Sequence, residues 1–243
     1  MARRNNITVN KDVILKNMSK NIIDINDYKK VIKKEIAYIL GLIWADGCVS
    51  FANNKSKTPI VKHSCVFYDS EKILKIFEDL NWRNHESTND KSIGKNKMVV
   101  NWVSSRLLGE YLIEENYRNK ELGTFIYEKF NSLKSHFLRG LFDGDGCITI
   151  SNSGIKYKQT AIYFSSSLYQ DWTFLENILK EVNVDYSIRE MNDKLGSSSQ
   201  LCIHKSESIK NICEFMYDDS ENIRLERKYL KYVEFLNYKE TFR

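Results

Sequence analysis

The sequence has little of what usually fixes or breaks a fold: one proline, Pro59, and five cysteines in 243 residues. The cysteines are odd in number and form no C-x-x-C pair, which argues against a disulfide framework and against a structural zinc site. We therefore expect an intracellular protein. The chain also lacks a Gly/Ser-rich linker or a low-complexity tract, so its boundaries must be found from patterning.

Strong charge and long apolar runs are missing as well. The 37 Lys and Arg against 32 Asp and Glu give a net charge of +5, which favours a nucleic-acid partner only modestly. No apolar run approaches the roughly 20 residues needed to span a bilayer. The first ten residues are polar, unlike a signal peptide. A chain with 42% hydrophobic and 28% charged residues is an ordinary globular protein.

What the chain does have is an internal repeat. Residues 38–51 read YILGLIWADGCVSF, and residues 137–150 read FLRGLFDGDGCITI. The two segments share a Gly-Leu pair and an Asp-Gly-Cys triplet at matching positions. Their aspartates, Asp46 and Asp145, are separated by about the length of a small domain. The sequence therefore predicts two similar halves.

The pattern after each copy is also repeated. Alternating apolar and polar residues predict a strand directly after each Asp-Gly, and an amphipathic helix further along each half. Beyond the first strands, the predicted strands are 61–68, 98–103, 157–165 and 200–204, and the predicted helices are 71–80 and 171–182. Each half closes on a helical segment. We predict an α+β fold in which the order αββαββα occurs twice. The first half spans residues 35–125 and the second spans 126–243, and a connection near 123–133 joins them. Residues 1–34 form an N-terminal extension of unknown role.

The repeated segment itself predicts a buried helix pair. Residues 35–46 are apolar on nearly every face, and such a helix must be buried. Gly41 and Ala45 lie four residues apart, as do Gly140 and Gly144, and small residues at this spacing let another backbone approach closely. The two helices should therefore pack on each other about a pseudo-two-fold axis.

This packing would bring Asp46 and Asp145 together at the C-terminal ends of their helices. There each carboxylate meets the negative end of a helix dipole, and the two repel each other. A divalent cation removes both penalties, and carboxylate and water ligands indicate Mg²⁺. Phosphodiester hydrolysis is the matching reaction class. One Asp-Gly before a strand would be an ordinary turn signal, but a turn does not require an all-apolar helix before it, twice.

Residues 39–47 and 138–146 resemble the two motifs of the LAGLIDADG homing endonucleases. The resemblance covers about residues 35–243. It implies two saddle-shaped, four-stranded antiparallel sheets that straddle duplex DNA in the major groove. It further implies a metal bound by Asp46 and Asp145, with the carbonyls of Ala45 and Gly144 as further ligands. Mg²⁺ is the expected ion, and Mn²⁺ should substitute for it.

The same resemblance implies cleavage of both strands of a long asymmetric target, short 3′ overhangs and a role in intron mobility. The chain departs from the family at one motif position, which is Asp143 in the second copy and Trp44 in the first. That position is not the metal ligand, so we expect catalysis to survive. The helix ends should differ, and the two halves of the target should be read differently.

Each half carries a late lysine, Lys120 and Lys228, and the resemblance makes both candidates to position water or stabilise charge in the transition state. DNA contacts are expected from the open strand faces. If Val49, Phe51, Ile148 and Ile150 point to the core, their polar neighbours face the groove. The candidate DNA-binding residues are Ser50, Lys62, Ser64, Thr149, Ser151, Lys158, Gln159, Gln200 and His204.

Two other functions fit parts of the pattern. An RNA-binding maturase would use the same fold on intron RNA, and both motif aspartates would then be dispensable. A transcription regulator would need a helix-turn-helix domain, for which residues 8–24 are too short. No splicing-domain sequence is present, so we expect a free-standing or intron-encoded monomer. It should act in the cytoplasm of a bacterium or phage-infected cell, or in an organelle.

Overall fold

The computed structural model describes residues 33–51, 58–87, 97–115, 131–153, 157–168, 170–193 and 196–240. Residues 1–32 of the predicted N-terminal extension, Lys120 and most of the predicted connection at 123–133 lie outside these ranges. No helix within them is long and apolar enough to cross a membrane.

The first half begins with its motif helix. In chain order its elements are α1 (Lys34–Asp46), β1 (Gly47–Phe51), β2 (Pro59–Val66), α2 (Ser70–Asp79), β3 (Arg83–Ser87), β4 (Met98–Ser104) and α3 (Arg106–Glu114). Serine is a favoured residue before a helix, and Ser105 caps α3 by accepting a hydrogen bond from the Leu108 amide. The amphipathic pattern that predicted α2 is satisfied, because its Phe77 is fully buried.

The second half repeats this order and adds a helix. Its elements are α4 (Lys134–Asp145), β5 (Gly146–Ser153), β6 (Tyr157–Ser167), α5 (Thr173–Glu181), β7 (Ser187–Asp193), β8 (Gly196–Ile203), α6 (Ser206–Tyr217) and α7 (Glu226–Glu240). The predicted α+β fold with αββαββα order, twice, is confirmed. The four-stranded sheets are confirmed as well, but the positions of the edge strands β3 and β7 and the separate helix α7 were not predicted.

Both sheets are antiparallel and have the same strand order. The first runs β1-β2-β4-β3 and the second runs β5-β6-β8-β7. Residues directly opposite one another in antiparallel strands share a sheet face. Lys62 thus shares a face with Cys48 and Trp102. The corresponding row of the second sheet contains Tyr163.

Each sheet buries one face and leaves the other open. Val49, Val61 and His63 are buried on the covered face of the first sheet, and Ile148 and Ile162 on that of the second. The prediction that Phe51 points to the core is wrong, because its side chain is 49% exposed. Phe51 is the last residue of β1 and lies opposite Pro59 of β2. The open faces are the surfaces available to a large ligand.

The two motif helices join the halves at a backbone-to-backbone contact. A Cβ atom on Gly41 would lie 2.1 Å from the Phe137 carbonyl oxygen, and one on Gly140 would lie 2.0 Å from that of Tyr38. Only glycine allows this separation at either position. The predicted packing of the motif helices is confirmed, and the residues around them form one core that spans both halves.

Candidate active site

Asp46 and Asp145 are the last residues of the two motif helices. The helices still touch at this end, because a Cβ atom on Gly144 would lie 2.2 Å from the Ala45 Cβ and 3.4 Å from the Asp46 Oδ2. Asp46 is exposed and Asp145 is half-buried. The fold thus brings the two predicted aspartates to one solvent-accessible place, where β1 and β5 begin.

The donors at this place suit a hard cation. Asp46 and Asp145 offer carboxylate oxygens, and Ala45 and Gly144 lie beside them in the last helical turns. Within the described ranges, no group of three His, Cys, Asp or Glu residues could hold a metal ion by itself. Mg²⁺ fits such a set, since it retains several waters and combines one or two carboxylates with phosphate oxygens.

Lys228 lies at the end of the second motif helix. Its side chain is buried, and its Nζ donates to the carbonyl oxygens of Phe142 (2.5 Å), Asp143 (2.9 Å) and Gly146 (2.6 Å). The C-terminal carbonyls of a helix lack intrahelical partners, and a cation there also complements the helix dipole. Burial lowers the pKa of Lys228 to about 8, against the opposing effect of Asp143. The Lys228 side chain therefore binds the end of α4 and the first residue of β5, next to Asp145.

We expect Lys228→Met to destabilise the protein by about 3 kcal/mol, because it removes the buried charged donor that the carbonyl groups of Phe142, Asp143 and Gly146 share. Urea unfolding would measure this loss. Lys180→Met, on the exposed end of α5, is the matched control and should change stability by less than about 0.5 kcal/mol. Equal stability of the two variants would refute the assigned role.

One motif position is Asp143 in the second copy and Trp44 in the first. The ends of the two motif helices differ there, as predicted. The buried Asp143 Oδ2 accepts hydrogen bonds from the Tyr38 hydroxyl (2.8 Å) and the Leu225 amide (2.8 Å). Burial raises the pKa of Asp143. Trp44 instead packs edge-on against Phe137 at 6.1 Å between ring centroids. The second motif thus holds the segment leading into α7, whereas Trp44 contributes apolar packing.

The surroundings of the two aspartates differ too. A cavity of about 180 Å³ beside Asp46 is lined partly by His63, Asp69 and Asp143. The space beside Asp145 is smaller, and its lining includes the aromatic rings of Trp44, Phe164 and Trp172. A polar cavity of about 180 Å³ has room for ordered water beside Asp46.

His63 links this cavity to the pH dependence of stability. Its ring stacks on Phe77 with centroids 5.4 Å apart, and burial lowers its pKa to about 4. Between pH 6.5 and 4 the unfolded state therefore binds more protons than the folded state, so acidification favours unfolding.

We expect the free energy of unfolding to fall as the pH drops below 6.5, by at most about 1.4 kcal/mol per pH unit for this group. His63→Leu should reduce that slope in urea titrations at several pH values. His204→Leu, at an exposed position, is the matched control. An unchanged slope in His63→Leu would contradict the assignment. His136 contributes in the same direction, since burial lowers its pKa to about 4 as well.

Most of the predicted DNA-binding residues lie on the open sheet faces. By the strand registers these are Ser50, Lys62, Ser64, Thr149, Ser151, Gln159 and Gln200, and His204 follows β8 on the same side, beside Tyr163. The hydroxyls of Thr149 and Ser151 donate to the carbonyls of Ala161 (3.5 Å) and Gln159 (3.4 Å) across the β5–β6 pair.

Lys158 lies on the opposite face from this set. Its Nζ pairs with Glu234 of α7 at 2.9 Å and sits 5.2 Å from the centre of the Tyr238 ring. Lys158 directly precedes Gln159 in β6, and consecutive residues of a strand point to opposite faces of the sheet. Helix α7, which the sequence-based prediction did not include, covers that face. Lys158 therefore does not lie on the open face that is available to DNA.

Sequence reasoning missed a buried arginine that anchors the second half. Arg139 is fully buried in α4 and donates to the carbonyls of Ile223 (2.5 Å) and Met216, with His136 Nδ1 at 2.6 Å. Arginine is rarely buried without such partners. Together with Asp143 it fixes residues 216–225. The sequence signal was an arginine in an otherwise apolar helix, flanked by Leu138 and Gly140.

Comparison with known proteins agrees with this geometry. A family model described as a LAGLIDADG-like domain matches residues 132–216. The structure of the I-LtrWI LAGLIDADG homing endonuclease bound to target DNA is similar, with a TM-score of 0.53, 15% identity, and coverage of 89% of this chain and 92% of that one. No curated protein sequence matches.

Two structures of I-SmaMI are similar as well. One, bound to cleaved DNA, has a TM-score of 0.53 and 13% identity, with 83% of this chain and 87% of that chain covered. The other, bound to an uncleaved DNA target in the presence of calcium ions, has a TM-score of 0.51 and 14% identity, with 83% and 89% covered. The fold is thus that of single-chain proteins with two motifs. The predicted resemblance to LAGLIDADG homing endonucleases is confirmed.

Proposed function

We propose that this chain is a site-specific endonuclease that hydrolyses both strands of a long, asymmetric, double-stranded DNA target. The observation that carries the proposal is the meeting of Asp46 and Asp145 at the touching ends of two glycine-packed helices. The two sheets that begin there leave one face open on each side. Structures of this fold have been determined with target DNA and with cleaved DNA, which supports the assignment.

We further propose that Mg²⁺ is the working cation, with Mn²⁺ as a substitute. A divalent cation at Asp46 and Asp145 would lower the pKa of a bound water and neutralise charge on the scissile phosphate. The chain supplies too few ligands to fill an octahedral shell, so phosphate oxygens from DNA would complete it. Cation binding should therefore be tighter with DNA present. The calcium ions recorded with one similar structure favour a divalent cation.

Other residues of the chain bind the DNA duplex and position the backbone of the active site. The open sheet faces bind and orient the duplex, since a two-stranded β-ribbon fits the major groove. Lys228 holds the C-terminal carbonyls of α4, and so fixes the backbone next to Asp145. We propose Lys120 as the corresponding lysine of the first half. Short 3′ overhangs, intron mobility, action as a monomer and a DNA-containing compartment are also parts of this proposal.

A cleavage selection tests the function. Purified protein and Mg²⁺ would be added to a plasmid library carrying long randomised inserts, and the linearised ends would be sequenced. Cleavage by the wild type at one extended sequence, absent with Asp145→Asn, is the expected result. No cleavage, together with retained binding to structured intron RNA, would favour the maturase alternative instead.

The dependence of binding on salt offers a separate test. A net charge of +5 is small for a DNA-binding protein, so groove contacts should carry most of the specific affinity. We expect the selected target to stay bound at a salt concentration that removes random-sequence DNA. Equal losses for both duplexes, measured by fluorescence anisotropy, would argue against groove recognition.

A further inference from the structure

Each open sheet face carries one exposed arginine on its edge strand: Arg83 on β3 and Arg189 on β7. Both lie over an aromatic ring of the same face. The guanidinium carbon of Arg83 is 5.2 Å from the centre of the Trp102 ring, and that of Arg189 is 5.5 Å from the centre of the Tyr163 ring. Such stacking orients a guanidinium group.

Arg189 is also held by hydrogen bonds. Its Nε (3.0 Å) and Nη2 (2.5 Å) both donate to the Gln200 Oε1, and the Gln200 Nε2 donates to the Ser165 Oγ at 2.8 Å. A guanidinium group has five N–H donors in a planar fork. The contacts with Gln200 use one edge of this fork, which leaves three N–H groups for a ligand on the open face. A guanidinium group that is already held in place loses less conformational freedom on binding a ligand than a mobile one does.

The two arginines occupy different rows of their sheets. Arg189 lies opposite Gln200, which lies opposite Ser165. The equivalent residues of the first sheet are His85, Val100 and Ser64. Ser64 and Ser165 each line the space beside a motif aspartate, so this row is the one near the candidate active site.

Arg83 lies two residues further from the aspartates, in the row that contains Trp102 and Lys62. Two residues of an antiparallel strand span about 6.8 Å, which is about two base pairs of B-form DNA. The second sheet places Ser187 in the row that corresponds to Arg83. Arg83 and Arg189 therefore do not occupy equivalent positions in the two halves. Along a bound duplex, Arg83 would lie about two base pairs further from the candidate active site.

We propose that Arg189 reads a guanine in the half-site bound by the second half, with Gln200 as its positioning residue. Arg83 reads a guanine about two base pairs further from the cleavage centre in the other half-site. An arginine fork pairs with the O6 and N7 atoms of guanine in the major groove. This inference rests on the proposed function, and it specifies one feature of the asymmetric target.

The test measures base preference at each position of the target. The wild type and the variants Arg189→Ala, Gln200→Ala and Arg83→Ala would each select duplexes from a library with long randomised inserts. Lys210→Ala, which removes an exposed ion-pair partner of Glu214 on α6, is the matched control. Melting temperatures would show that each variant is folded.

We expect Arg189→Ala to lose about 10- to 100-fold of the preference for guanine at one position only. Gln200→Ala should weaken preference at that same position, and Arg83→Ala should do so at one position in the other half-site. An unchanged preference at every position, or a uniform loss of affinity typical of a phosphate contact, would overturn the inference. If the wild type selects no sequence at all, the proposed function itself fails.

Discussion

Asp46→Asn and Asp145→Asn are each expected to abolish double-strand cleavage of the selected target, with a fall in rate of about three orders of magnitude or more. The reason is the sparse ligand set at the meeting point of the motif helices. Asparagine keeps the shape of the side chain but removes the charge that offsets a divalent cation. Because asparagine preserves the shape of each side chain at the end of its helix, binding to the target and thermal stability should remain close to those of the wild type.

A comparable carboxylate elsewhere provides the control. Asp79 is exposed and ends helix α2, as Asp46 and Asp145 end their helices. Asp79→Asn removes only a surface ion pair with Lys75, which is worth little. It should cut DNA at the wild-type rate. Single-turnover assays at saturating Mg²⁺ would separate the variants, and full activity of Asp145→Asn would show that the aspartates are not the metal ligands.

Gly140→Val is expected to cause the largest loss of stability. A Cβ atom at this position would lie 2.0 Å from the Tyr38 carbonyl oxygen and 3.0 Å from the Leu42 amide nitrogen. The atoms in the way belong to the backbone of α1 and cannot rotate aside, so the two motif helices must separate. The cost should exceed about 4 kcal/mol, and the variant should unfold at low urea or fail to accumulate in soluble form.

The control for this change is a substitution at an exposed helix position. Lys180→Val on α5 alters helix propensity and side-chain volume without a close neighbour in the core. It should lower the free energy of unfolding by less than about 1 kcal/mol. A urea midpoint for Gly140→Val close to that of Lys180→Val would mean that the helices do not touch as described.

The repeat made most of the fold predictable from the sequence. Two matching helices with small residues at a spacing of four, the first apolar on nearly every face, are expected to pack on each other, and the strands after them follow from alternation. The edge strands β3 and β7 were expected from the αββαββα order but could not be located in the sequence, because water reaches both of their faces and their residues show little alternation. Four of the five residues of β3 are exposed, and these include Arg83. Strands of this kind are recognisable only from their pairing with β4 and β8.

The candidate site was predicted less completely. Asp46 and Asp145 were identifiable because the motif marks them in both halves. The structure gives Lys228 contacts that the sequence does not reveal, because its hydrogen-bond partners precede it by more than 80 residues. Lys158 was misplaced because only the strand register decides which face of the sheet a residue occupies.

The most direct test of the account is the number of chains needed to cut both strands of one duplex. Selected target DNA, labelled on each strand, would be titrated with the protein at saturating Mg²⁺. Because one chain carries both motif aspartates, the account predicts that both strands are cut when one chain is present per duplex. A requirement for two chains per duplex, or cleavage of only one strand at any stoichiometry, would contradict it.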